Sequence, residues 1–137
     1  MIVPPMQVEI DLFSGRPNPT WELTAAEVSE LKARLATLPT GSPVAMPEVL
    51  GYRGLHIAPL PGRQGINEPS SANTIIDLQV GGGAINAVRY NGTALHLVDT
   101  GQSLECWLLT IAQGRVDESI RQTALANLDS PCPYSPE

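Results

Sequence analysis

Lysine is almost missing from this chain. Lys32 is the sole example among 137 residues, seven of the eight basic residues being arginine. Chemistry that needs a Schiff-base lysine would have to use Lys32, whose spacing puts it on a solvated helix face. The basic residues are scattered and the net charge is −6. Nucleic-acid binding calls for a basic footprint, so neither nucleic acid nor an anionic membrane surface is expected as a partner. Long apolar runs are missing too: none approaches the ~20 residues of a membrane-spanning helix. The opening MIVPPMQVEI has no basic n-region followed by an apolar core, so it does not read as a signal peptide. A leader removed ahead of it would leave no trace.

Cysteine is scarce. Cys106 and Cys132 allow at most one bridge, and no CxxC or Cys/His spacing suggests zinc. The expectation is two free or buried thiols in a reducing cytosol, hence a cytoplasmic protein. GxSxG, P-loop, HExxH, EF-hand and GxGxxG patterns are all lacking, which removes the common sequence signatures of hydrolases, nucleotide binders and metalloproteases.

Apolar residues, in contrast, make up 42% of the chain, with 13 prolines and 12 glycines. That is enough for one core in a single domain spanning 1–137, with stiffened loops and an irregular tail from about residue 129. In QVEIDLF (7–13), Val8, Ile10 and Leu12 alternate with Gln7, Glu9 and Asp11, as in a half-buried strand. FSGRPNPTWEL (13–23) then breaks the pattern, with Pro17 and Pro19 stiffening the turn around Arg16. Thr24 and Glu27 form a capping box, Leu23 and Val28 a hydrophobic staple, and Val28, Leu31, Leu35 and Leu38 an apolar stripe. These predict a helix over 25–38, ended by Pro39. Further strands are expected over 50–58, 74–80, 85–90 and 93–99. In the first of them Tyr52 and His56 share one face, and Arg53, Leu55 and Ile57 the other. The Asn91-Gly92 pair predicts a two-residue hairpin in which Tyr90 meets Thr93, Val88 meets Leu95 and Ala87 meets His96. Leu104, Trp107, Leu108 and Ile111 predict a second helix closed by Gly114, and a third is expected over 118–128. The fold class that follows is α+β, an antiparallel sheet of four to five strands with two or three helices packed on one face.

The candidate site is polar and aromatic. Arg16, on its stiffened turn, offers a guanidinium fork suited to a carboxylate or phosphate. Trp21 could stack on a planar ligand, and Tyr52 and Arg53 lie in the same candidate strand as His56. His56 and His96 are the candidate proton carriers. No cofactor is expected, and no metal. The oxygen and nitrogen ligands His56, His96, Asp77, Glu9 and Asp11 are dispersed over several strands, with no spacing that demands an ion.

Three functions compete. The first is a small soluble domain binding an organic, anionic or aromatic, ligand or a partner protein. Its site would lie between the open sheet face and the long loop from Pro59 to Asn73. The second is a small cofactor-free enzyme, a cyclase, isomerase or hydrolase, in which His56 or His96 moves a proton and Arg16 or Arg53 steadies negative charge. The third is a subunit of a homo-oligomer joined through a strand edge.

Overall fold

The computed structural model describes residues 6–12, 18–42, 53–59, 75–89, 91–128 and 132. Among them are six strands and three α-helices: β1 (Met6–Ile10), β2 (Thr20–Glu22), α1 (Ala25–Ala36), β3 (Leu55–Pro59), β4 (Ile75–Gly81), β5 (Ala84–Arg89), β6 (Ala94–Val98), α2 (Ser103–Ile111) and α3 (Glu118–Ala126). The strands form one antiparallel sheet in the order β2-β1-β3-β4-β5-β6. This is the expected α+β class with one strand more than expected. The extra strand is β2, whose three residues are too few to show an alternation. The chain therefore pairs with β1 once more before α1 begins: Trp21 lies opposite Val8, and Leu23 N–H donates to the Met6 carbonyl at 2.9 Å.

Alternation decides which face is dry. Val8 and Ile10 of β1, Leu55 and Ile57 of β3, Leu78 and Val80 of β4, and Ile85 and Ala87 of β5 all point inward and are buried. They share one core with Val28, Leu31 and Leu35 of α1, Leu104, Trp107 and Leu108 of α2, and Ala124 of α3. Each large side chain so buried contributes about 1.5–3 kcal/mol.

The helices begin where local chemistry says they should. Thr24 Oγ1 accepts from Glu27 N–H at 3.1 Å, and Glu27 Oε1 accepts from Thr24 N–H at 3.0 Å, completing the capping box. Glu27 Oε1 also accepts from Arg115 Nη1 at 2.8 Å, which ties the α2–α3 connection to the start of α1. Arg34, on α1, stacks 4.9 Å from the ring of Trp107 on α2. Helix α2 starts on a buried carboxylate: Asp99 Oδ1 and Oδ2 accept from Leu104 and Glu105 N–H at 2.8 and 3.0 Å. Asp99 is 2% exposed, and burial raises its pKa in spite of these bonds. Helix α3 is held by Arg121, whose buried guanidinium grips both oxygens of Glu118 and donates to the Leu109 carbonyl of α2.

Two further expectations are corrected, the hairpin register and the free thiols. Val88 pairs with Ala94, Ala87 with Leu95 and Asn86 with His96, a shift of one residue from a two-residue turn. Arg89 N–H bonds the Thr93 carbonyl and Gly92 N–H bonds the Arg89 carbonyl, so three residues, not two, lie between the last paired positions. Asn91 Oδ1 fixes this turn by accepting from the Thr93 amide and hydroxyl. The triple glycine is a hairpin turn: Gly82 and Gly83, at φ 60° and 84°, link β4 to β5. Cys106 and Cys132 are not free thiols. They are joined in a disulfide, with their Cα atoms 5.5 Å apart.

Both sheet edges are short of free backbone. Val98 N–H donates to the Pro39 carbonyl and Gly41 N–H to the His96 carbonyl, both at 2.8 Å, so the segment after α1 covers much of the β6 edge. The opposite edge is β2, three residues long and ending in Glu22. None of the helices among the described residues is long and apolar enough to cross a membrane.

Candidate functional site

The face of the sheet turned away from the helices carries the other half of each alternation. Register aligns one residue from every strand into a transverse row: Thr20 opposite Glu9, Glu9 opposite His56, His56 opposite Gln79, Gln79 opposite Asn86, and Asn86 opposite His96. Every member is polar. Directly opposed side chains on one face lie close enough to interact, so the row is a continuous strip of hydrogen-bonding groups.

His56 is its centre. Its Nε2 lies 2.9 Å from Asp77 Oδ2, which reaches it diagonally from β4, and its Nδ1 lies 3.7 Å from Glu9 Oε1 on β1. Glu9 Oε2 in turn accepts from Asn18 Nδ2 at 2.7 Å, and Asn18 Oδ1 accepts from the Leu12 amide at 3.0 Å. The hydrogen bond to Asp77 raises the His56 pKa, and the charges of Asp77 and Glu9 raise it further, against an opposing contribution from burial. A ring so held is a better proton donor than acceptor. The two carboxylates address opposite ring nitrogens, so the three groups share no point at which an ion could sit. Among the described residues no group of three His, Cys, Asp or Glu is arranged to hold a metal.

His96 occupies the far end of the row. Since the amide oxygen can only accept, His96 Nδ1 donates to Asn86 Oδ1, at 2.9 Å. Around it the face turns apolar: Val88 and Val98 are each 39% exposed.

The chain matches no known protein family, curated protein or solved structure.

The residues singled out from the sequence fall in different places. Arg16 and Tyr52 lie outside the described residues, as does the loop after Pro59 up to Asn73. Trp21 is in the core, 6% exposed and paired with Val8, so it does not present its ring beside His56. Its Nε1 is buried, with no hydrogen-bond partner among the described residues. Arg53 does not share a face with Leu55 and Ile57 as a regular alternation would have it. Gly54, at φ 116°, breaks the alternation, and Arg53 Nε and Nη2 both donate to Asp11 Oδ1, at 3.2 and 2.9 Å. The two histidines both reach the outer face, separated by β4 and β5. Sequence reasoning missed Asn18 and Asn86 altogether, and it placed Glu9 and Asp77 in a metal pool instead of on His56. The alternation in QVEIDLF is the one signal that put Glu9 on an outer face.

Proposed function

We propose that this protein is a small binding domain whose outer sheet face takes an organic ligand or a protein segment rich in hydrogen-bond donors, such as a polyol or an amine. The observation that carries this reading is the six-strand polar row centred on His56. A solvated sheet face is polar in any case; what sets this row apart is His56 held between Asp77 and Glu9, with Glu9 bonded on to Asn18. What the face offers is mostly carboxylate and amide oxygen: Glu9, Asp77, Glu22, Gln79 and Asn86. Arg53 is answered by Asp11. This shifts the ligand class away from the anion suggested by Arg16. The covered β6 edge and the three-residue β2 give a strand-edge oligomer less to work with. The Cys106–Cys132 bridge supports an oxidising compartment over the reducing cytosol expected from the sequence.

A thermal-shift series tests the reading with spermidine, maltotriose, inorganic phosphate and benzoate. A ligand at 100 times its Kd stabilises the folded chain by about 2.7 kcal/mol. The expected result is a rise in Tm with the amine or the sugar, lost in the Glu9→Gln, Asp77→Asn double variant. A response to phosphate or benzoate alone, abolished by Arg16→Ala, would overturn it in favour of an anion site. No response to any of the four removes small-molecule binding on this face.

A second reading draws on the orientation of His56 by Asp77, which is the arrangement of a general acid. It requires a cation or other stabilising group converging on the same point. His56→Gln distinguishes the two readings, since ligand affinity retained with turnover lost belongs to an enzyme.

A further inference from the structure

We propose that Asn18, Glu9, His56 and Asp77 form a pH-operated clasp, in which protonation of His56 sets how firmly the chain at Leu12 and Asn18 is held against the sheet. As regulation of the outer face it rests on the binding reading for its consequence, but the clasp itself needs no ligand.

The coupling follows from donor and acceptor counting. A protonated imidazole has two N–H groups, one for each carboxylate: Nε2 donates to Asp77, and Nδ1 turns its proton toward Glu9. With one oxygen of Glu9 facing a positive ring, the other is held as acceptor for Asn18 Nδ2. Asn18 then presents its own oxygen to the Leu12 amide. Neutral imidazole has a single N–H. The shorter contact, to Asp77, keeps it, and the Nδ1 lone pair is left facing the Glu9 carboxylate. Attraction becomes repulsion on the Glu9 side alone, and Glu9 is an acceptor for Asn18.

Among the described residues the charged and titratable neighbours are few. From β1 they are Glu9 and, one pleat further on, Asp11, which is paired with Arg53. From β4 the charged neighbour is Asp77, while Gln79, directly opposite His56, carries no charge. Thus the ring meets carboxylates from both flanking strands, and the one described guanidinium near them faces Asp11. Consistent with that setting, the hydrogen bond from Asp77 raises the pKa of the ring. The midpoint of the clasp therefore lies above the ordinary value of about 6.5, within reach of physiological pH.

The test is an NMR titration of the ligand-free full-length chain between about pH 5.5 and about pH 9, above the ordinary range of carboxylates. It follows the His56 ring nitrogens, the Asn18 side-chain amide and the Leu12 backbone amide. The expected result is a His56 midpoint above about 6.5, with the Asn18 and Leu12 signals moving at the same midpoint. In Glu9→Gln the His56 step persists while the Leu12 step at that midpoint disappears. In Asp77→Asn the midpoint falls. A wild-type His56 that titrates at or below its ordinary value overturns the clasp, and so does a Leu12 signal that stays flat through the His56 step. Because the wild-type series alone can give either overturning result, variants that fail to fold do not shelter the proposal. A positive titration beside a negative ligand screen would sink the binding reading only.

Discussion

Gly54 is held at φ 116°, a conformation that side chains rarely adopt, and a Cβ built on it would run into the Val80 carbonyl of the neighbouring strand. At this one residue the chain enters β3, the Gly54 carbonyl accepts from Asp11 N–H at 2.9 Å, and Arg53 N–H donates to the Asp11 carbonyl at 2.7 Å. The Arg53–Asp11 ion pair depends on that geometry more than the geometry depends on the pair, which lies at the surface, where ion pairs add little. Gly54→Ala should therefore destabilise the fold by about 1–3 kcal/mol from backbone strain alone, and by more if β4 must shift. Asp11→Asn should cost less than Gly54→Ala. Urea unfolding of the two variants checks the order. If Asp11→Asn proves the more damaging, the ion pair and not the glycine sets this bend.

At the scale of elements, the clearest dependence is that of α2 on Asp99. The helix is the most deeply buried of the three, with Leu104, Glu105, Cys106, Trp107, Leu108 and Leu109 all buried. Its first amides have no water to turn to. Asp99 supplies both acceptors from the end of β6, so Asp99→Ala leaves two buried N–H groups unpaired and should cost about 2–4 kcal/mol. Asp99→Asn, with one oxygen left, should fall between the wild type and Ala. Equal stability of all three proteins by chemical denaturation would mean that other groups take over the cap. Helices were the legible part of this sequence because their signals are local: the Thr24–Glu27 box and the Leu23–Val28 staple span a handful of residues and fold as written. Strand pairing is decided at a distance. Nothing in QVEIDLF says that β1 lies between β2 and β3, and the hairpin register slipped by one because Asn91 and Thr93 favour a three-residue turn over the two-residue turn suggested by Asn-Gly. His56 was legible as a proton carrier. Its partner Asp77, 21 residues away, and Glu9 on another strand were not legible as its partners, because a diagonal contact exists only once the register is fixed.

For the molecule as a whole, the Cys106–Cys132 bridge is a covalent cross-link between buried α2 and the chain beyond α3. Cys106 is buried within α2, and Cys132 lies 26 residues on, with its sulfur 3.6 Å from the Thr110 hydroxyl on the same helix. The loop it closes contains all of α3. In the chain-entropy account, closing a loop of that length lowers the freedom of the unfolded chain by an amount worth about 3.5 kcal/mol. For a domain of this size that corresponds to a Tm about 10 °C lower on reduction. Cys132→Ser is the cleaner variant, because it leaves the buried position 106 as a small apolar thiol and places the new hydroxyl at the less buried end. Reduced wild type and Cys132→Ser should then melt together, well below the oxidised protein. Alkylation after unfolding without reductant should label neither cysteine. Labelling of both in freshly purified, never-reduced protein would return the pair to free thiols. The support that the bridge gives to an oxidising compartment would go with it, and α3 would be left to Arg121 and its apolar face.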